Sequence, residues 1–454
     1  MPTRNGGPPL RDFEAYYAAG DTWHDAGDPY GRDVWRTERT IPGVVASRDE
    51  LLPFVGPPFG LPLWDALARL PWGAACIAWA LALGVAFTTI VLGSLALARS
   101  RPRVFDVLAA LTLGAAFAPL TGGLALGQAA LVSCAALVAM PYALHPRRTL
   151  GAAALALAAA LQPNLGIVLV ARLAETRTWI AFGCAALVAA GGSALALGGM
   201  GGLERYANVL RAQGEAERFI GIQTTPGAVA RAFGAAPGSA GDIGRLVAIA
   251  CVVAVIVQAA RRRHTPAMRL VLACALVPLA LPFAHEHDYA VVFLPAMLLI
   301  VRARGAAWVS GTVATVALGV DWLGLAQRPA GLFATVALAA AAALAAAALA
   351  RAPLRFYHAV PLLVAIPCVA LIGLFAAGHP LGTWPDALPA NYRAAVHATV
   401  ADVWRDEQVR SGIAALDPMW GALRAISLGA CVVVWLLASR VLVVPSFDCG
   451  NDAR

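Results

Sequence analysis

Long apolar runs recur along the chain at roughly 74–98, 104–119, 126–144, 178–200, 244–260, 267–283, 289–301, 306–325, 332–350, 359–377 and 425–443. A helix needs about 20 apolar residues to cross a hydrocarbon core of about 30 Å. Each run is long enough, or nearly so. Hydrophobic residues make up 60% of the chain and charged residues 13%. A soluble domain of this length covers its core with charge, and too little charge is present here to do so. A soluble globular enzyme, a disordered chain and a nucleic-acid-binding module are therefore excluded. The expected fold is all-α: a polytopic transmembrane helical bundle of about 11 spanning helices. Between 149 and 172 the apolar pattern is interrupted at Gln162-Pro163-Asn164. Proline removes a donor and restricts the residue before it, so this stretch reads as a broken or re-entrant helix pair. It is the one broken segment that the sequence shows.

The formal net charge is +8, and no lysine occurs, so the basic residues are all arginine. They cluster between apolar runs as Arg99, Arg101 and Arg103; Arg147 and Arg148; Arg172 and Arg177; Arg261, Arg262 and Arg263; Arg302 and Arg304; Arg351 and Arg355. With a hairpin at 149–172 all of these fall on one side, which the positive-inside rule makes cytoplasmic. The opposite side then receives residues 1–73, the 201–243 loop, His285–Tyr289 and the 378–424 loop. Residues 1–73 form an extracytoplasmic segment, 74–443 the membrane domain and 444–454 a cytoplasmic tail. A translocated acidic segment needs a carrier helix, so an apolar stretch encoded upstream of Met1 is expected. None of the eight cysteines falls in a CxxC pair or a His/Cys metal spacing, and no disulfide framework is expected.

Residues 1–73 hold ten of the 26 acidic residues, interleaved with aromatics. A carboxylate beside aromatic rings at a membrane interface suits a sugar: the rings stack on its CH face and the carboxylate accepts a hydroxyl proton. An interfacial aromatic belt with helix-capping acids gives the same composition. The order of motifs adds more. Asp12-Phe13, Tyr16-Tyr17 and Ala19-Gly20 give D-F-x-x-Y-Y-x-A-G; Asp28-Pro29-Tyr30 follows; then Phe54, Pro57-Pro58-Phe59 and a helix. Leu126-Gly127-Gln128 opens an apolar run, Gln162-Pro163 closes another, and His287-Asp288-Tyr289 precedes a third.

In this order the motifs resemble bacterial glycosyltransferase family 87, from about residue 11 to 300. The family usually has Lys-Pro where this chain has Gln162-Pro163, and a membrane helix before the first loop. The resemblance implies a GT-C-like fold and an enzyme working on the extracytoplasmic face of the bacterial plasma membrane. It implies transfer of a sugar, commonly mannose, from a polyprenyl-phosphate donor to a glycolipid or glycan acceptor, with no nucleic acid involved. It places the catalytic base at Asp12. Substrate contacts are expected from Tyr16, Tyr17, Asp28, Tyr30, Gln128, Gln162, His287, Asp288 and Tyr289. With glutamine in place of lysine, either an arginine holds the phosphate, with Arg205, Arg211, Arg218 and Arg231 of the second outer loop as candidates, or the donor differs, or activity is weak. No cofactor is expected; the nearest acidic pair for a metal is Glu286 and Asp288, with no distant partner ligand. The competing reading is a lipid or glycolipid transporter, which would carry paired broken helices near the midplane and acids inside them.

Overall fold

The computed structural model describes residues 10–143, 149–172, 175–217, 222–260, 264–350 and 356–442. They are helical throughout, with no strand among the described residues. The expected arginine clusters at Arg147–Arg148, Arg261–Arg263, Arg351 and Arg355, the loop residue Arg218 and the tail 444–454 lie outside them.

Among the described residues six helices are long and apolar enough to cross a membrane: Trp72–Ala98, Thr178–Ala196, Pro237–Ala259, Pro329–Leu349, Ala359–Ala377 and Pro418–Val441. The chain is thus a multi-pass membrane protein. Val104–Ala115 and Ala118–Leu126 make a seventh if the pair is one span bent by 67°. The expected number of about 11 is therefore too high, and the reason is physical. Several apolar runs form helices of 10–17 residues, too short at 1.5 Å per residue to cross. Phe293–Arg302 shows why they are apolar all the same: every residue from Phe293 to Val301 is buried in protein. Met268 to Leu279 is buried almost as completely within Pro266–Ala280. Composition registers burial without telling protein from lipid.

Besides the break at Gln162-Pro163, the described residues contain a second at Ala116-Phe117. Thr149–Ala159 ends before Gln162, and a short turn of helix starts at Pro163, as the proline demands. The second break, at Ala116-Phe117, carries no proline before Pro119. It is held from outside, where Ala118 N–H donates to the Gly319 carbonyl.

One end of the bundle gathers arginines on helix C-termini, where the free carbonyls are. Arg302 donates to the Leu97 carbonyl at 2.9 Å and Arg99 to the Leu349 carbonyl at 2.7 Å. At the other end three polar segments form a cap. Arg48 donates to the Leu388 carbonyl and Arg393 to that of Ser47, joining residues 10–71 to the 378–424 loop. Trp404 Nε1 donates to Glu217 at 2.6 Å, bringing in the helix Met200–Glu217. If the arginine end is cytoplasmic, a maleimide that cannot cross membranes will label Glu215→Cys in intact cells and leave Arg103→Cys unmodified. Both positions are exposed. Labelling of Arg103→Cys alone would invert the protein.

Candidate active site

The first helix, Phe13–His24, starts at Asp12, where an aspartate ordinarily caps by accepting a backbone N–H. This one makes no such bond. Its backbone N–H donates to the Leu126 carbonyl at 2.8 Å, and its Oδ2 accepts a short hydrogen bond from Gln128 Nε2. Gly127 makes that approach possible. It sits at φ +84, and a Cβ there would meet Leu10 at 2.9 Å and Phe13 at 3.0 Å. Gly20 serves the same helix further on, because a Cβ would lie 2.3 Å from the Trp64 carbonyl.

Gln128 also accepts from the Tyr16 hydroxyl at 3.1 Å. Tyr16 stacks on Trp64 with centroids 4.6 Å apart and meets Phe54 edge-on. His287 is near enough to Asp12 to act on its charge, and a Cβ on Gly123 would lie 3.5 Å from the His287 Cβ. The His287 and His285 rings stack at 5.6 Å, 22° from parallel. Asp288 accepts the His285 N–H at 3.0 Å and keeps its other oxygen 4.0 Å from His287 Nε2.

Burial raises the Asp12 carboxyl above the ordinary aspartate range, against the pull of His287, Gln128, His285 and Arg11. The side chain is nonetheless half-buried, so a substrate can reach it. Burial lowers the His287 imidazole, so it is neutral, with Asp288 opposing that effect. A reachable carboxylate of raised basicity, faced by a neutral imidazole and a carboxamide, suits removal of a proton from a bound hydroxyl.

Asp12, Tyr16, Gln128, His287 and Asp288 thus meet in one place. The other expected residues make different bonds, and the hydroxyls of the tyrosines among them go to backbone. Tyr17 OH donates to the Leu70 carbonyl at 2.9 Å, Tyr30 OH to that of Gly56 at 2.9 Å and Tyr289 OH to that of Thr224 at 2.7 Å. Asp28 accepts the Tyr30 N–H at 3.0 Å and closes its own turn. Gln162 is half-buried at the helix break, its N–H on Ser133 Oγ at 3.0 Å. Arg205 and Arg211 are exposed, and Arg231 donates to the Ala235 carbonyl. Burial raises the Glu286 carboxyl well above its ordinary value, and Asp321 beside it raises it further.

Two clusters carry no local signal in the sequence. Glu217 is buried and accepts from Gln223, Gln213 and Trp404. Arg11 reaches Glu14 at 2.9 Å and Glu50 at 3.0 Å, and stacks over Trp384 at 4.7 Å. Arg48 holds the other oxygen of Glu50 at 2.5 Å. Glu38 is fully buried beside them, and Glu407 accepts from Leu51 N–H and Trp384 Nε1, both at 2.8 Å. Burial pushes the Glu407 carboxyl up to about 9 and raises those of Glu14 and Glu38.

The model of glycosyltransferase family 87 matches residues 54–282, half of the chain. The protein belongs to glycosyltransferase family 87. It is therefore a membrane glycosyltransferase. No curated protein and no solved structure matches it. The family match takes in Gln128, Gln162, Glu217 and Gln223. Asp12 lies well before its first residue and His285–Tyr289 just after its last, and what joins them to this family-87 enzyme is geometry: Asp12 is bonded to Gln128, and His285 faces Gln223.

Proposed function

We propose that this enzyme transfers a sugar, mannose in the first instance, from a polyprenyl-phosphate donor to a glycolipid or glycan acceptor at the extracytoplasmic face of the bacterial plasma membrane. The observation that carries this reading is the Asp12 carboxylate, bonded to Gln128, raised by burial and lowered in part by nearby His287. The donor enters from the lipid with its phosphate near the histidines. Asp12 takes the acceptor hydroxyl proton as that oxygen bonds to the anomeric carbon. The anomeric carbon–oxygen bond to phosphate breaks, and polyprenyl phosphate leaves with the electron pair. Imidazole N–H donors meet the charge developing on its oxygens. Tyr16, stacked on Trp64 and bonded to Gln128, offers an aromatic wall for a sugar face. Glutamine at position 162 leaves the phosphate without the family's usual lysine, which puts more weight on the histidines.

The test is transfer of radiolabelled mannose by membranes carrying the protein. Polyprenyl-phosphate mannose is expected to serve as donor and a nucleotide-mannose is not. Envelope glycolipids from cells without the gene should lack one hexose by mass. Transfer from the nucleotide donor alone would overturn the reading.

A further inference from the structure

Gln223 lies outside the sugar-binding residues described above, yet its geometry fixes the chemistry of one of the two histidines. Its Oε1 accepts the Ala284 N–H at 2.8 Å. A backbone amide only donates, so that end of the carboxamide is the oxygen and the other end is the NH2 group. The NH2 group donates to Glu217 Oε2 at 2.5 Å and faces His285 Nε2 at 3.2 Å. A group that only donates needs a lone pair opposite. His285 Nε2 therefore carries no hydrogen, and the neutral ring holds its proton on Nδ1.

Glu217 keeps Gln223 in this orientation. It is buried among three donors, Gln223, Trp404 Nε1 and Gln213 Nε2. His285 Nε2 is also 3.7 Å from Glu217 Oε2, and an ion pair there would have to displace the Gln223 NH2 group. The Nδ1 side of His285 makes no hydrogen bond to a described residue. Its side chain is 27% exposed, against 10% for His287 stacked beside it. An imidazole with a fixed N–H, a satisfied rear edge and an open front is built to donate to a bound oxygen.

We infer that Gln223, anchored by Glu217 and the Ala284 amide, is a positioning residue that holds His285 as its Nδ1–H tautomer, and that this N–H donates to a phosphate oxygen of the lipid-linked donor. The second half rests on the transferase reading above; the first does not.

The experiment is magic-angle-spinning NMR of the full-length protein in bilayers, with labelled histidine and the His285 signals assigned by their loss in His285→Gln. At neutral pH His285 is expected to show a protonated Nδ1 and a bare Nε2. Gln223→Glu places an acceptor opposite Nε2 and is expected to move the ring proton there, leaving Nδ1 bare. It should raise KM for the lipid donor roughly tenfold, the worth of about one hydrogen bond, with a smaller change in kcat. A wild-type ring protonated on Nε2 overturns the assignment, whether or not any variant folds. A variant with a switched ring and an unchanged KM overturns the role in binding. Failure of the wild type to transfer sugar from the lipid donor, with the Nδ1–H ring intact, refutes the donor contact and the transferase reading while the hold of Gln223 on the ring stands.

Discussion

Asp12→Asn is expected to lower sugar transfer by roughly 10²-fold or more at matched expression, the usual size of a general-base contribution. Asparagine keeps the size of the side chain and can still accept from Gln128, so the loss would reflect chemistry and not folding. Asp28→Asn is the control, since Asp28 closes a turn on Tyr30 away from Gln128. The pH profile gives a second reading of the same group. Only ionised Asp12 can take a proton, and burial raises its carboxyl above the ordinary value of 3.8. Activity should therefore fall on acidification at a pH above the normal aspartate range, and the residual activity of Asp12→Asn should not follow that limb. Near-normal transfer by Asp12→Asn, with loss in Asp288→Asn, would move the base to Asp288.

Arg11→Met should cost about 3–5 kcal/mol, the usual penalty for removing one partner from a buried ionic cluster. Arg11 alone bridges Glu14 and Glu50, and its guanidinium covers Trp384 from the far loop. Without it, Glu50 keeps Arg48, while Glu14 and Glu38 stay buried without the one guanidinium that acts on both. Glu14 and Glu38 already have raised carboxyls, so protonation relieves part of the strain, and the loss should shrink on acidification. The measurement is thermal unfolding in detergent at neutral and mildly acidic pH. Adding Glu50→Gln to Arg11→Met should recover part of the loss at neutral pH. A variant as stable as the parent at neutral pH would mean that the cluster is solvated.

Much of this was legible along the chain, for reasons that differ by residue. The break before Pro163 was readable because proline acts on its own neighbours. The bend at Ala116-Phe117 was not, because a carbonyl two hundred residues away, that of Gly319, holds it. The long outer helices were readable from length. Phe293–Arg302 was not, because a helix sunk in protein is as apolar as one sunk in lipid. Asp12, Gln128 and His287 each stood out by motif, and their meeting is a property of the fold. Glu217 gave no signal at all. Glu215, two residues earlier, is exposed, and the difference lies in Trp404, which reaches Glu217 from 187 positions away.

The cap has a bearing on how the enzyme is made. Leu51 N–H is bonded to Glu407 across 356 positions, and Arg48 to Leu388 across 340. The first segment of the cap thus waits through the synthesis of nearly every membrane helix before its partner emerges. Chain closure over such a distance comes late. Until then Arg11 lacks the Trp384 ring, while the helix carrying Asp12 already has Gln128, Trp64, Trp72, Trp79 and the Ala196 carbonyl to lean on. A ribosome-bound chain stopped before residue 407 therefore holds most of the membrane domain and every residue from Asp12 to Asp288 that meets at the site, and lacks the segment that closes the cap over them.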